Sequence, residues 1–334
     1  MASKSPLRIG LLGTGVAAHD LYLPAFKKLE ADGTFEIVAC ANRRRAKAEK
    51  YAKLAGIPLV VDGAEELFAL PEVEAVVISL PIELQPEYVL AALKAGKAVL
   101  SEKPIAPTVA AGKKLLSASK RFDAPWLVGE NFAFMAHVQK AESWVKSGKL
   151  GRIRLVQATQ LTWVDTKNRY FQTAWRQQPK HIGGFVVDGG VHVAEVIRRC
   201  FGLPVSVKGF TAQFQKNLPP LDTAVAALEF ADGTLGTWTS CFTARSEEPM
   251  LRIYGEKANI ELGWGGASLI EFGKNDAGGK KTVVKNEPDS FEAEFRHFAD
   301  VVKRGKKLLF TPEEALSDLV FLDAIVKTPK SLRS

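Results

Sequence analysis

The chain has 334 residues, 46% of them hydrophobic, which is too long for one small core and enough to fill two domains. Its formal charge is +8, but 45 basic and 37 acidic residues are mixed along the chain, which argues against nucleic acid as a partner and leaves room for a small anion. No apolar run is long enough to span a bilayer and the first residues leave no room for a signal region, so a cytoplasmic protein with no membrane partner is expected. The three cysteines, Cys40, Cys200 and Cys241, are widely spaced with no CxxC pair. They read as buried thiols, not as a disulfide framework or a zinc site.

In chain order, a short apolar run, Ile9 to Leu12, enters Gly13-Thr14-Gly15-Val16-Ala17-Ala18. This GxGxxA pattern suits a tight turn from a buried strand into a helix, where free N–H groups face an anion. Gly13 permits the turn, Gly15 admits a pyrophosphate, and Ala18 lets helix and strand pack closely. Dinucleotide binding by Gly13, Thr14, Gly15, Val16 and Ala17 is the functional expectation, with an ordinary strand–helix turn as the alternative.

Residues 16–31 read as a helix interrupted near Pro24, and Phe35 to Ala41 as a second strand. Where an NAD-binding fold usually places an acidic residue for the ribose hydroxyl, this chain has Asn42 followed by Arg43, Arg44 and Arg45. Three arginines opening a helix oppose its dipole, which makes sense if a phosphate sits there. NADP(H) is therefore favoured over NAD(H), against the alternative of a solvated basic turn. Helices at 44–55 and 64–70 alternate with strands at 58–61 and 75–79, apolar on both faces, which predicts a doubly wound parallel sheet. Leu80 and Pro81 then lie at its cofactor edge. A helix over 84–95 and a strand over 98–100 deliver Ser101-Glu102-Lys103-Pro104 to the same edge. A helix over 108–120 and a strand over 126–129 close this domain, dividing the chain into 1–129 and 130–334.

The second half opens with a helix over 134–147, and strands follow from Arg152. In the loop from Asp165 to His181, Trp175 reads as structural support, and Arg176 as either a substrate contact or an ion-pair partner. Asp188-Gly189-Gly190 reads as the start of a helix, with His192 four residues after Asp188 and on the same side. A carboxylate and an imidazole then converge, and imidazole suits reversible transfer of a hydroxyl proton. The alternative is a helix N-cap and a core histidine. His19, His137, His181 and His297 show no metal-ligand spacing, and no metal is expected. From Val205 onward the chain reads as strands with a hairpin at Asp232-Gly233, which makes the second domain α+β with a large, mostly antiparallel open sheet. Phe214, Trp238, Phe242 and Trp264 are candidates for an oligomer surface. Helices over 290–303 and 312–327, the second capped by Thr311, end the chain.

The GxGxxA turn, the stretch Ser79 to Pro104 ending in Ser-Glu-Lys-Pro, and Gly183-Gly-Phe-Val-Val-Asp-Gly-Gly-Val-His192 together resemble the glucose-fructose oxidoreductase, inositol dehydrogenase and MocA family. The resemblance implies a Rossmann domain and a pyridine-nucleotide oxidoreductase acting on sugars, cyclitols or related hydroxyl and carbonyl compounds. It implies that Lys103 faces substrate and nicotinamide, that Glu102 and Pro104 fix its loop, and that Asn131 lies near the substrate, with a turn or cap residue as the alternative for Asn131. The chain departs from the pattern at Gln85 and Ala98, where histidines are common. An amide at Gln85 can contact cofactor or substrate but cannot titrate. His192 is thus expected as general acid/base, Lys103 as the polarising or proton-relaying partner and Asp188 as the group orienting His192 or the substrate, with Asn131 and Arg176 as further substrate contacts. Family members pair subunits through the open sheet, so a homodimer or larger assembly is expected. A cofactor-binding regulator without turnover and a glycosidase using tightly held NAD are the competing classes.

Overall fold

The computed structural model describes residues 5–273, 279–285 and 289–327. The chain divides into two units, Met1–Asn131 with Asp289–Leu316, and Phe132–Pro288 with Ser317–Ser334. A single cut at residue 129 is therefore too simple, because one late segment returns to the first unit. The reason is hydrophobic: Phe295 and Phe298 are fully buried, and Phe295 packs on Phe26 with ring centroids 4.7 Å apart.

In the first unit, β1 (Leu7–Leu12), β2 (Phe35–Ala41), β3 (Leu59–Val61), β4 (Ala75–Ile78), β5 (Ala98–Glu102) and β6 (Trp126–Gly129) form a parallel sheet in the order β3-β2-β1-β4-β5-β6. The helices are α1 (Leu23–Ala31), α2 (Arg45–Ala55), α3 (Ala64–Ala69), α4 (Gln85–Lys94) and α5 (Val109–Ser119). Every residue of β4 is buried, as both faces of a covered parallel sheet require. Strand order reverses between β1 and β4, and the crevice beyond their carboxyl ends is where such sheets take ligands. The helix expected over 16–31 with an interruption near Pro24 begins at Val16, widens into a π-helical turn at Ala18–Tyr22 and resumes as α1. Pro24 does not end it: the wider turn stands directly before the proline, and widened turns accommodate a residue that cannot donate to the turn behind it.

The second unit contains α6 (Ala136–Lys146), β7 (Ile153–Leu161), the one-turn α7 (Ala174–Gln177) and the long α8 (Gly184–Phe201). It continues with β8 (Ser206–Ala212), β9 (Thr223–Glu229), β10 (Leu235–Cys241), β11 (Leu251–Gly255), β12 (Ala258–Gly263), β13 (Gly266–Glu271) and β14 (Lys280–Lys285). These strands form one sheet in the order β14-β13-β12-β11-β7-β10-β9-β8, antiparallel except where β7 meets β10. The remaining helices are α9 (Ser290–Arg304), in the first unit, and α10 (Pro312–Val326), whose start is fixed by reciprocal bonds between Thr311 and Glu314.

The residues placed on a possible oligomer surface separate into two pairs. Phe214 and Trp264 are exposed, at 70% and 49%. Trp238 and Phe242 are buried, because β10 turns Gly236, Trp238 and Ser240 toward the face covered by α8 and Phe242, just past its end, packs on Gly189 of the same helix. The Trp238 indole N–H donates to Ser240 Oγ at 3.1 Å, so the ring is buried without an unpaired donor.

Candidate active site

The nucleotide turn is built from three strand ends. Gly13 follows β1 with φ +98°, and a Cβ there would lie 2.2 Å from the Ser79 carbonyl oxygen at the end of β4. Only glycine closes β1 onto β4 in this way. At Gly15 a Cβ would meet no atom within 4 Å, so its backbone borders open space next to the first helical residues, Val16 and Ala17. Thr14 is buried and its Oγ1 accepts from Asn42 Nδ2 at 2.9 Å, while Asn42 Oδ1 accepts from the Arg44 N–H at 3.1 Å. Asn42 thereby ties the ends of β1 and β2 together. The three arginines differ. Arg45 is engaged by Glu49 and Asp62, whereas Arg43 and Arg44 are exposed and make no ion pair among the described residues. Leu80 and Pro81 are half-buried, and Leu80 Cδ2 lies 3.1 Å from where a Cβ on Gly13 would be. A backbone cradle that a Cβ would fill, next to exposed guanidinium groups, suits the phosphates of a dinucleotide.

Strand β5 runs two residues beyond its expected end, to Glu102, and delivers Lys103 to the same edge of the sheet. Glu102 is held from two sides: Tyr22 donates its hydroxyl to Oε1, and the Lys103 N–H donates to Oε2 at 3.2 Å. Behind it lies a group of buried acids that the sequence reading did not identify. Glu130 and Glu294 are each 1% exposed. Burial, reinforced by Glu130 and Glu102, pushes the Glu294 carboxyl well above the usual carboxylate range. Burial, then the Glu102 charge, likewise pushes the Tyr22 phenol well up. The signal was present in the sequence, because Glu294 lies on the stripe of α9 that carries Phe291, Phe295 and Phe298.

Two expected contacts look different in the structure. Gln85, the first residue of α4, is wholly buried, and neither amide atom finds a hydrogen-bond partner among the described residues. The amide expected to contact cofactor or substrate is thus enclosed at the start of α4. Asn131 is 8% exposed and donates from Nδ2 to Ser290 Oγ at 2.9 Å, tying the end of the first segment to α9.

In the second unit, α8 begins at Gly184, after Gly183 in the left-handed conformation, and not at Asp188. Asp188 is therefore inside the helix, which excludes the N-cap alternative and keeps it one turn from His192. The glycines after it are needed for packing: a Cβ on Gly189 would lie 2.9 Å from Phe242 Cζ, and one on Gly190 3.1 Å from Leu322 Cδ2. Asp188 Oδ2 accepts from Arg176 Nε at 2.7 Å, and both side chains are nearly buried. Of the two readings of Arg176, the structure thus supplies the ion pair. His192 is half-buried and its ring stacks on Phe132, centroids 4.5 Å apart and planes 17° apart. Phe132, a contact no local motif marks, fixes the plane of the imidazole. Among the described residues no group of three or more His, Cys, Asp or Glu side chains could hold a metal ion.

Fold and nucleotide turn define the class, a protein with a doubly wound Rossmann domain whose glycine turn suits a dinucleotide. Residues 7–130 match the GFO/IDH/MocA oxidoreductase family with an NAD-binding Rossmann fold, and residues 138–261 match the GFO/IDH/MocA C-terminal domain. The chain belongs to this family. A dTDP-3,4-didehydro-2,6-dideoxy-alpha-D-glucose 3-reductase of Actinomadura kijaniata is 33% identical over 97% of this chain and 96% of its own length. An uncharacterized protein of Saccharomyces cerevisiae is 30% identical over 97% and 96%. The crystal structure of an oxidoreductase from Thermotoga maritima superimposes with TM-score 0.89 and 34% identity, covering 97% of this chain and 96% of the other. No helix among the described residues is long and apolar enough to cross a membrane.

Proposed function

We propose that the protein is an NADP(H)-dependent oxidoreductase that moves hydride between nicotinamide and a sugar, cyclitol or related small hydroxy or carbonyl compound. The observation that carries this reading is the His192 imidazole, its plane fixed by Phe132, one helical turn from a carboxylate that is itself fixed. A non-catalytic regulator has no need of that arrangement. The sugar class is supported by the A. kijaniata relative, a reductase of a dTDP-linked keto sugar.

A bound nicotinamide accepts or supplies the hydride. The residues of this chain handle the proton and the oxygen. His192 accepts the hydroxyl proton when a carbinol is oxidised and returns it when a carbonyl is reduced. Lys103 donates a hydrogen bond to the reacting oxygen, polarising it, and its backbone is anchored by Glu102. Asp188 supplies fixed negative charge next to His192. Gly13, Thr14, Gly15, Val16 and Ala17 would hold the pyrophosphate, and Arg43 and Arg44 the ribose 2′-phosphate. Arg45 takes no part, since Asp62 and Glu49 already engage it. On this reading Arg43→Ala with Arg44→Ala lowers the NADP+ to NAD+ affinity ratio by about 10-fold or more, and Arg45→Ala leaves it unchanged. Equal loss from all three would contradict the assignment.

The protein is a homodimer or larger on this reading, joined through the open sheet face, where Phe210, Val225 and Leu235 are 64%, 45% and 56% exposed. A sedimenting monomer at micromolar concentration would refute it. Reaction class is tested by NADP+ reduction and NADPH oxidation over aldoses, ketoses, cyclitols and dicarbonyls. Turnover abolished by Lys103→Ala and by His192→Ala is expected. Full activity in either variant, or NADPH binding with no turnover of any compound, would overturn the reading.

A further inference from the structure

The proton and hydride chemistry above gives Arg176 no part, yet this side chain is constrained on several sides. Its Nε donates to Asp188 Oδ2 at 2.7 Å and its Nη1 to Thr173 Oγ1 at 3.4 Å. Its guanidinium lies 4.0 Å from the Trp175 ring centroid and 5.0 Å from that of Tyr170. Two aromatic faces and two oxygens thus hold one planar fork. An exposed arginine ion pair is weakened by water and by the entropy of two long side chains. Here the side chains of Arg176 and Asp188 are only 13% and 9% exposed, and the fork is already held by the rings, so both losses are small.

The partner is as informative as the grip. The backbone of Asp188 is set by the 18-residue α8, and the remaining freedom of its carboxylate lies in the side-chain torsions. Arg176 removes that freedom, while Phe132 removes the corresponding freedom of His192, four residues along the same helix. A carboxylate locked on a guanidinium stays an acceptor and does not carry protons. Proton transfer is thus left to the imidazole, and Asp188 provides a charge of fixed direction beside it. Two other arginines of this helix, Arg198 on Asp318 and Arg199 on Glu195, stand about two turns beyond His192, while Glu195 itself is three residues beyond it. They tie the helix to its surroundings but cannot orient Asp188.

Resting on the assignment of His192 and Asp188 made above, we propose that Arg176 is a positioning residue for the reaction: it sets the direction of the Asp188 carboxylate, and Trp175 and Tyr170 set the direction of Arg176. It touches neither substrate nor cofactor and acts only through Asp188. A substrate-binding arginine would act mainly on KM, and a merely structural ion pair only on stability.

The test is a cycle of Arg176→Gln, Asp188→Asn and the double variant, with Arg176→Lys as the conservative control. Turnover is measured on the best compound of the panel at saturating NADP+ or NADPH, and thermal unfolding is followed for every protein. Arg176→Gln is expected to lower kcat by about 10- to 100-fold, as misdirected catalytic groups do, with KM changed less than about threefold. Arg176→Lys restores part of kcat, because it keeps the charge but loses the fork. In the Asp188→Asn background, Arg176→Gln adds less than about twofold, and the unfolding temperatures are likewise non-additive. Unchanged kcat, a loss confined to KM, or the full loss repeated in the Asp188→Asn background would overturn the proposal. If the wild-type protein turns over nothing, the functional reading fails first, and the unfolding cycle still decides the lock: additive effects overturn it and coupled effects support it.

Discussion

Alanine at Gly15 and alanine at Gly13 separate ligand binding from folding within one turn. At Gly13 the added Cβ would sit 2.2 Å from the Ser79 carbonyl oxygen and 2.9 Å from its carbon, both backbone atoms that cannot rotate away. The residue also has φ +98°. An L-residue in the left-handed region costs about 1–2 kcal/mol, and forcing a methyl into packed structure costs about 1–3 more, so Gly13→Ala should destabilise by about 2–5 kcal/mol. At about 2–4 °C per kcal/mol for a unit of this size, the unfolding temperature falls by about 5–20 °C. Gly15→Ala is the opposite case. Its Cβ meets nothing within 4 Å, so stability is unchanged or rises by up to about 1 kcal/mol through the unfolded state. If a pyrophosphate occupies that space, the methyl costs about 1–3 kcal/mol of binding, or about 5- to 150-fold in Kd. Thermal unfolding without ligand and calorimetric titration with NADPH measure the two effects. Wild-type NADPH affinity in Gly15→Ala would refute the placement of the phosphate, and an unperturbed Gly13→Ala would refute the geometry of the turn.

Other substitutions probe the surroundings. Gln85→Met replaces a fully buried amide, unpaired among the described residues, with an apolar side chain of similar length, and should stabilise the protein by about 1 kcal/mol or more; denaturant unfolding showing a loss would mean that the amide has a partner in solution. Burial raises the Glu294 carboxyl in the folded state well above its ordinary value of about 4.5, so its stabilising contribution is full below that pH and is lost as pH rises toward the raised folded value. Glu294→Gln removes this slope, so the variant gains stability relative to the wild type as pH increases; a difference that shrinks with pH would show that Glu294 is ionised when folded. Phe132→Ala should lose catalysis by freeing the His192 ring as well as losing stability from a buried aromatic, the latter by about 3–5 kcal/mol. Phe132→Tyr, which keeps a ring for stacking, should retain more turnover, and equal losses in both would contradict a stacking role.

Much of the first unit was legible because parallel strands are apolar on both faces and their ends carry distinctive residues. Ala75–Ile78 could be only a buried strand, and Gly13, Asn42 and Lys103 mark three strand ends that the sheet order brings to one edge. The start of α8 was misread for a physical reason. Gly189 and Gly190 look like the opening residues of a helix, yet they are small because Phe242, Trp238 and Leu322 press against them, a contact with no local signature. The same limit applies to Trp238 and Phe242: alternation along β10 puts them on one face, but only α8 decides that this face is covered. Arg176 shows the limit at the candidate site. Its chemistry fitted substrate or carboxylate equally, and the choice depended on a fold that brings the loop after β7 onto α8. The return of Asp289–Leu316 to the first unit was equally invisible, since no pattern within that segment names its distant partner.

The most direct test of the central claim is transfer of label. NADPH carrying deuterium at the reactive nicotinamide carbon is incubated with the protein and the carbonyl compound that oxidises it fastest, and the product is analysed by mass spectrometry and NMR. Hydride transfer predicts deuterium on the new carbinol carbon, formed by the wild type and not by His192→Ala. Deuterium retained in the nucleotide, with NADPH bound and no labelled alcohol formed, would contradict the account.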